Sequence, residues 1–165
     1  MSTTLKDEIQ QTRPFASIEQ ETYLNIIRTA SLLQHEMGEM LRPYDITPTQ
    51  YNVLRILRGA GEAGLCRNEI RDRLVAQVPD ATRLIDRMVE TGLVSRERDS
   101  KDRRRTTTRI TQQGRTVLER IEAPLNEEHT RRLGHLSPQE HRTLTRLLET
   151  VRQRPQPQHH DSDNR

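Results

Sequence analysis

Six basic side chains fall within ten residues, at Arg96, Arg98, Lys101, Arg103, Arg104 and Arg105, with Asp99 and Asp102 set among them. Cations crowded this closely repel one another, so the arrangement gains only where an anion is expected. An arginine carried on a hairpin tip can enter a narrow minor groove, where the negative potential is enhanced, and a nearby carboxylate can orient it. Arg104 is the candidate for that insertion and Asp102 for the orienting partner. A solvated charged loop is the alternative reading.

Just upstream, Ala81, Leu84, Ile85 and Met88 recur at helical spacing and leave Asp80, Thr82, Arg83, Asp86 and Arg87 on the opposite face. Such a face suits a major groove. Arg83 has the reach for a bidentate guanine contact, and Thr82 can meet a base edge or a phosphate. Asp80 and Asp86 are unfavourable near phosphates, although an aspartate can accept from cytosine or hold an arginine in place. A merely solvated amphipathic helix is the alternative.

Other chemistries lack their residues. There is no Gly-rich phosphate loop, no nucleophile elbow and no paired carboxylate in an apolar setting, so no enzyme is expected. His129, His135 and His141 are spaced by six, which is not the i, i+4 spacing of a two-histidine zinc motif, so neither a metal site nor a cofactor is expected. Cys66 is the single cysteine. It excludes an intramolecular disulfide and fits a reducing cytoplasm. At the start of a helix it is a candidate redox residue, with a small capping or packing role as the alternative.

The elements that must position these residues follow from the periodicity. A long amphipathic helix is expected from Ser17 to about Leu41, stopped by Pro43. Thr47-Pro48-Thr49-Gln50 reads as a capping box opening a second helix with Leu54 and Leu57 inward, ending in the glycine-rich 59–64. A third, short helix starts at Cys66, with Ile70 and Leu74 inward, and a fourth starts near Pro79 and ends at Gly92. Two strands are expected at 93–96 and 106–110, joined by the charged tip ERDSKDRRR. Helix resumes near Thr111, with Pro124 expected to bend it or end a turn there. A last helix opens at the box Ser137-Pro138-Gln139-Glu140. The fold class is therefore mainly α, a winged helix-turn-helix in the order α-α-α-α-β-β-α-α.

The chain has 165 residues, enough for one domain with tails. The tails are expected to be disordered at 1–14 and 154–165. Hydrophobic residues make up 31% and aromatics 2%, which is lean for a self-sufficient core and favours a homodimer that completes it. Net charge is +3, yet 67–115 holds 13 Lys/Arg against 8 Asp/Glu, a local +5, leaving −2 for the remainder. The concentrated charge points to double-stranded DNA as partner. No secretory address or membrane span is expected, and the location expected is the cytoplasm.

Gly92-Leu93-Val94, Arg96, Asp102-Arg103-Arg104, Ile110-Thr111 and Gly114, together with TPTQYNVLRIL from Thr47, resemble the MarR-type regulators over about residues 17–151. The resemblance implies a single domain over 15–153, with dimerisation helices at about 17–42 and 111–152 and a winged-helix DNA-binding lobe at about 46–110. It further implies a dimer reading a pseudopalindromic operator, usually a repressor, released by a small aromatic or phenolic effector. By the same likeness Asp102 and Arg104 match the DNA-binding pair of the wing, and Arg96 matches the arginine at its base that helps hold it. His35, with Tyr44 and Tyr51, is a candidate to line the effector pocket, with an ordinary interface residue as the favoured alternative. The DNA-binding set is thus Asp80, Thr82, Arg83, Arg87, Arg96, Arg98, Lys101, Asp102, Arg103, Arg104 and Arg105. The rival functions are a winged-helix module that binds protein or nucleic acid without a ligand response, and a redox-responsive regulator acting through Cys66.

Overall fold

A computed structural model describes residues 3–98 and 106–153. Helix α1 is a single turn, Leu5–Glu8, and α2 runs Ile18–Leu41, opened by Ser17, whose hydroxyl accepts from the Gln20 N–H at 3.2 Å. Pro43 then diverts the chain into a 3-10 turn, Arg42–Tyr44. Helix α3, Pro48–Ala60, carries the expected reciprocal cap: the Gln50 N–H donates to Thr47 and the Gln50 side chain accepts from the Thr47 N–H at 2.8 Å. Helices α4, Arg67–Arg73, and α5, Ala81–Glu90, form the helix-turn-helix, with Cys66 and Asp80 in the cap positions.

The hairpin follows directly. Strand β1, Val94–Arg98, pairs antiparallel with β2, Thr106–Ile110, in a register that sets Val94 opposite Ile110 and Arg98 opposite Thr106. Both strands' core ends are buried at Val94 and Ile110. The first strand reaches two residues further than its Val content suggested. Glu97 does not belong to a loose tip, because its carboxylate takes a 2.5 Å bond from Arg109 of β2, a diagonal cross-strand pair.

Leu65 adds a one-residue bridge to Thr108, with the two backbones exchanging bonds of 3.0 and 2.8 Å. That bridge depends on Gly64. Its φ is +63°, and a Cβ there would lie 2.6 Å from the Thr108 carbonyl oxygen. Helix α6, Gln112–Leu133, starts under the hairpin: Thr111 Oγ1 accepts from the Gly114 N–H and donates to the Gly92 carbonyl at 2.7 Å. Gly114 permits the approach, since a Cβ would stand 2.3 Å from the Leu93 carbonyl.

The core of this first unit joins Leu41, Val53, Leu54 and Leu57 to Ile70, Ile85, Met88 and Val94, with Leu118 and Ile121 of α6. Helix α3 packs on α2, α4 and β2, and α5 packs on α4 and β1. The architecture is the winged helix-turn-helix expected from the periodicity.

One expectation needs correction. The segment 1–14 is not wholly a structureless tail, because Thr4 and Asp7 form a reciprocal cap for α1, whose Leu5 is buried, and Glu8 pairs with Arg28 at 3.4 Å. Helix α6 runs through Pro124, and the chain divides into two compact units there, the first ending at Ala123 and the second starting at Pro124. The second unit holds the end of α6 and α7, Pro138–Arg152, which opens on the expected Ser137/Glu140 box. Leu144, Leu147 and Val151 of α7 are exposed. Among the described residues, no helix is long and apolar enough to cross a membrane.

Candidate nucleic-acid interface

Helix α5 owes its orientation to Ala81, Ile85 and Met88, all buried, which turn Thr82, Arg83 and Arg87 toward the surface. Asp80 is committed to the helix start. Its Oδ1 accepts from the Arg83 N–H at 3.0 Å and its Oδ2 lies 3.2 Å from Arg83 Nε. Of the two roles open to this carboxylate, the geometry favours holding the arginine over reading cytosine. Arg83 itself is 83% exposed, and with Nε engaged it presents the two terminal nitrogens of its guanidinium outward.

Asp86 is not a stray acid on this face. Arg96 of β1 donates to its Oδ1 at 2.5 Å, and the arginine side chain is only 29% exposed. The pair ties the base of the wing to the recognition helix, so Arg96 holds the hairpin rather than extending from it. Arg98, two residues on, is exposed. Lys101, Asp102, Arg103, Arg104 and Arg105 lie outside the described residues.

Two arginines missing from the sequence-based set belong to this region. Arg67, at the start of α4, donates to Thr82 Oγ1 at 3.0 Å. Arg109 joins β2 both to Glu97 and to the Glu62 carbonyl, the latter at 2.7 Å. Fifteen residues of chain separate Arg67 from Thr82, so periodicity within either helix carries no sign of that bond.

A cavity of about 490 Å³ opens between α2, α3 and the link after α4, lined by Leu33, Met37, Pro48, Tyr51, Arg55 and Val75 among others. Tyr51 is the single member of the expected trio found there. His35 is exposed and lies two residues from Leu33 and from Met37, about 200° around the helix from each. Tyr44 is drawn to α6, where its hydroxyl donates to the Arg120 carbonyl at 3.4 Å and the Arg120 guanidinium stands over its ring. Burial raises the Tyr51 phenol above its ordinary value, with Arg55 and Arg58 pulling the other way, so the hydroxyl stays neutral at physiological pH. Arg55 stacks over the Tyr51 ring at 5.8 Å. An arginine four residues after a tyrosine on one helix face was a signal available in the sequence.

Cys66 is half-buried, and its N–H donates to Glu69 Oε2 at 2.8 Å, as a cap residue's does. Among the described residues, no three His, Cys, Asp or Glu side chains gather as a metal-ligand set.

Comparison with known proteins agrees with this architecture. A model of the MarR family matches residues 44–105. The HTH-type transcriptional repressor IacR of Pseudomonas putida is 31% identical over 115 residues, covering 70% of this chain and 68% of that protein. The crystal structure of a MarR transcription factor from Planctomyces limnophilus is 38% identical with a TM-score of 0.64, covering 83% of this chain and 99% of that one. A cysteine-to-serine mutant of MarR from E. coli, complexed with operator DNA, is 26% identical with a TM-score of 0.68 and covers 89% of this chain and 97% of that one. Helix-turn-helix, wing and sequence agree, and the chain belongs to the MarR family of winged helix-turn-helix transcriptional regulators.

Proposed function

We propose that this regulator acts as a cytoplasmic homodimer that binds a pseudopalindromic operator, α5 entering the major groove and the wing reaching the adjacent minor groove. The observation that carries the reading is the outward face of α5, where Thr82, Arg83 and Arg87 stand beside a basic hairpin anchored to the same helix by Arg96 and Asp86. Thr82 and Arg83 supply base contacts, and Arg87, Arg98, Lys101, Arg103 and Arg105 supply phosphate contacts. Arg104 enters the minor groove with Asp102 orienting it.

Dimerisation is supported by apolar surface that a single chain leaves in water. Ile18, Tyr23 and Ile27 of α2, and Leu144, Leu147 and Val151 of α7, are all exposed. A second copy covers them. Repression is supported by the IacR relative, which is a repressor. The cavity beside Tyr51 and Arg55 is the site proposed for a small aromatic effector, which acts by binding one spacing of the two lobes better than the other.

Two single substitutions test the division of labour. Arg104→Ala should weaken binding to all duplexes by a similar factor and reduce the salt slope by about one, whereas Arg83→Ala should relax preference at one base position. Undiminished binding by Arg104→Ala would remove the wing from the account.

A further inference from the structure

The bond between Arg67 and Thr82 constrains what the recognition helix can read. A threonine hydroxyl carries one proton and two acceptor lone pairs, and free rotation lets it face either a donor or an acceptor on a base. Here Arg67 Nη1 donates into Thr82 Oγ1 at 3.0 Å, so one lone pair is occupied by a cation. A cationic donor at that lone pair electrostatically favours turning the hydroxyl proton away from the guanidinium. Beside it, both oxygens of Asp80 face groups of their own helical turn, the Arg83 N–H and Arg83 Nε. The opening turn of α5 therefore offers more donors than acceptors: the Thr82 O–H and the terminal nitrogens of Arg83, against the one lone pair that Arg67 leaves on Thr82 Oγ1.

We propose that Arg67 is a positioning residue that fixes Thr82 as a hydrogen-bond donor, so that this turn selects base edges rich in acceptors. The fitting edges in the major groove are guanine N7 and O6, adenine N7 and thymine O4, while the amino groups of cytosine and adenine are disfavoured. The inference rests on the proposal that α5 enters the major groove. It adds a residue of α4 to the machinery of sequence choice and assigns the chemistry of two neighbouring operator positions.

The test measures binding of the full chain, by fluorescence anisotropy at fixed salt, to the duplex that the wild-type protein selects and to every single-base-pair variant of one half-site. The wild-type protein should prefer an acceptor edge at one position by about fivefold or more. Thr82→Val, which keeps the shape and removes the hydroxyl, should erase that preference and leave the neighbouring Arg83-dependent guanine intact. Arg67→Ala should lose the same preference at the same position, and Arg67→Lys, which restores a cationic donor, should recover part of it. The double variant should fall no further at that position than Thr82→Val alone. Circular dichroism melts of each variant separate these effects from unfolding.

Uniform weakening of all duplexes by Arg67→Ala, with base preference kept and the salt slope reduced, would make Arg67 a phosphate contact and overturn the inference while leaving the proposed function standing. A cytosine amino edge preferred at the Thr82-dependent position would overturn it as well. Selection of no sequence by the wild-type protein would instead remove the proposed function, and this inference with it.

Discussion

Truncating Arg96 to alanine leaves Asp86 without its partner on the face of α5 that is proposed to approach phosphates. Asp86 is 46% exposed in its side chain, so solvent screens much of the change, and the expected loss of stability is at most about 1 kcal/mol. Affinity for DNA should suffer more, because an uncompensated carboxylate then repels the backbone and the wing loses its tie. Thermal unfolding together with a binding titration checks this. Adding Asp86→Asn to Arg96→Ala should restore part of the affinity, and a failure to do so would reduce the pair to a packing detail. At this scale the outward residues Thr82, Arg83 and Arg87 were legible, because the apolar spacing of Ala81, Ile85 and Met88 dictates which way they point. Their partners were not. Arg67 meets the helix through a tertiary contact that no local period encodes, and the holding role of Arg96 came from the family resemblance, without Asp86 as its partner. His35 shows the converse: knowing that α2 is amphipathic does not say which flank of its stripe lines a cavity, and the cavity runs along Leu33 and Met37 instead.

Elements differ in how openly they announce themselves. The boxes at Thr47/Gln50 and Ser137/Glu140 were readable because a cap is satisfied within four residues. The Leu65 bridge was not readable, since one residue pairing with β2 leaves no alternation to detect. Gly64 gives that bridge a test. Gly64→Ala imposes a left-handed backbone on a residue with a Cβ and drives that Cβ into the Thr108 carbonyl. The expected cost is about 1–2 kcal/mol from the backbone alone, with more from the displaced strand. Chemical denaturation measures it, and a neutral result would mean that the bridge contributes nothing to the wing's placement.

Helix α7 carries a pH dependence of defined sign. Hydrogen bonds from the Ser137 hydroxyl and N–H hold the Glu140 carboxyl below its ordinary value of 4.5. A depressed folded value means that the cap's contribution is complete above the unfolded value and is lost as pH falls through the folded one. The melting temperature should therefore decline in mild acid, and Glu140→Gln should reduce that decline. An identical acid profile in the variant would show that the cap is not responsible.

At the scale of the whole molecule, composition was the more informative guide. A chain with 31% hydrophobic residues and 2% aromatics buries one helix-turn-helix core well and leaves apolar rows on α2 and α7 in water. Such rows are what a second copy is proposed to cover. The local charge of +5 over 67–115, against −2 elsewhere, falls on the same segment as α5 and the wing, where the polyanion-binding surface is proposed. Neither quantity says what DNA sequence is read, because that depends on a few donors and acceptors whose orientation only the fold sets. The division of the chain at Ala123/Pro124 was not read from the sequence, where a single domain was expected and Pro124 stood only for a bend or the end of a turn.

Selection of bound duplexes from a random pool, with untagged protein at near-physiological salt, tests the central claim of a dimer that reads sequence. The account predicts recovery of an inverted repeat whose half-sites lie about 10 base pairs apart. Recovery of no motif, with binding that vanishes as salt rises, would contradict it and leave a nonspecific polyanion binder.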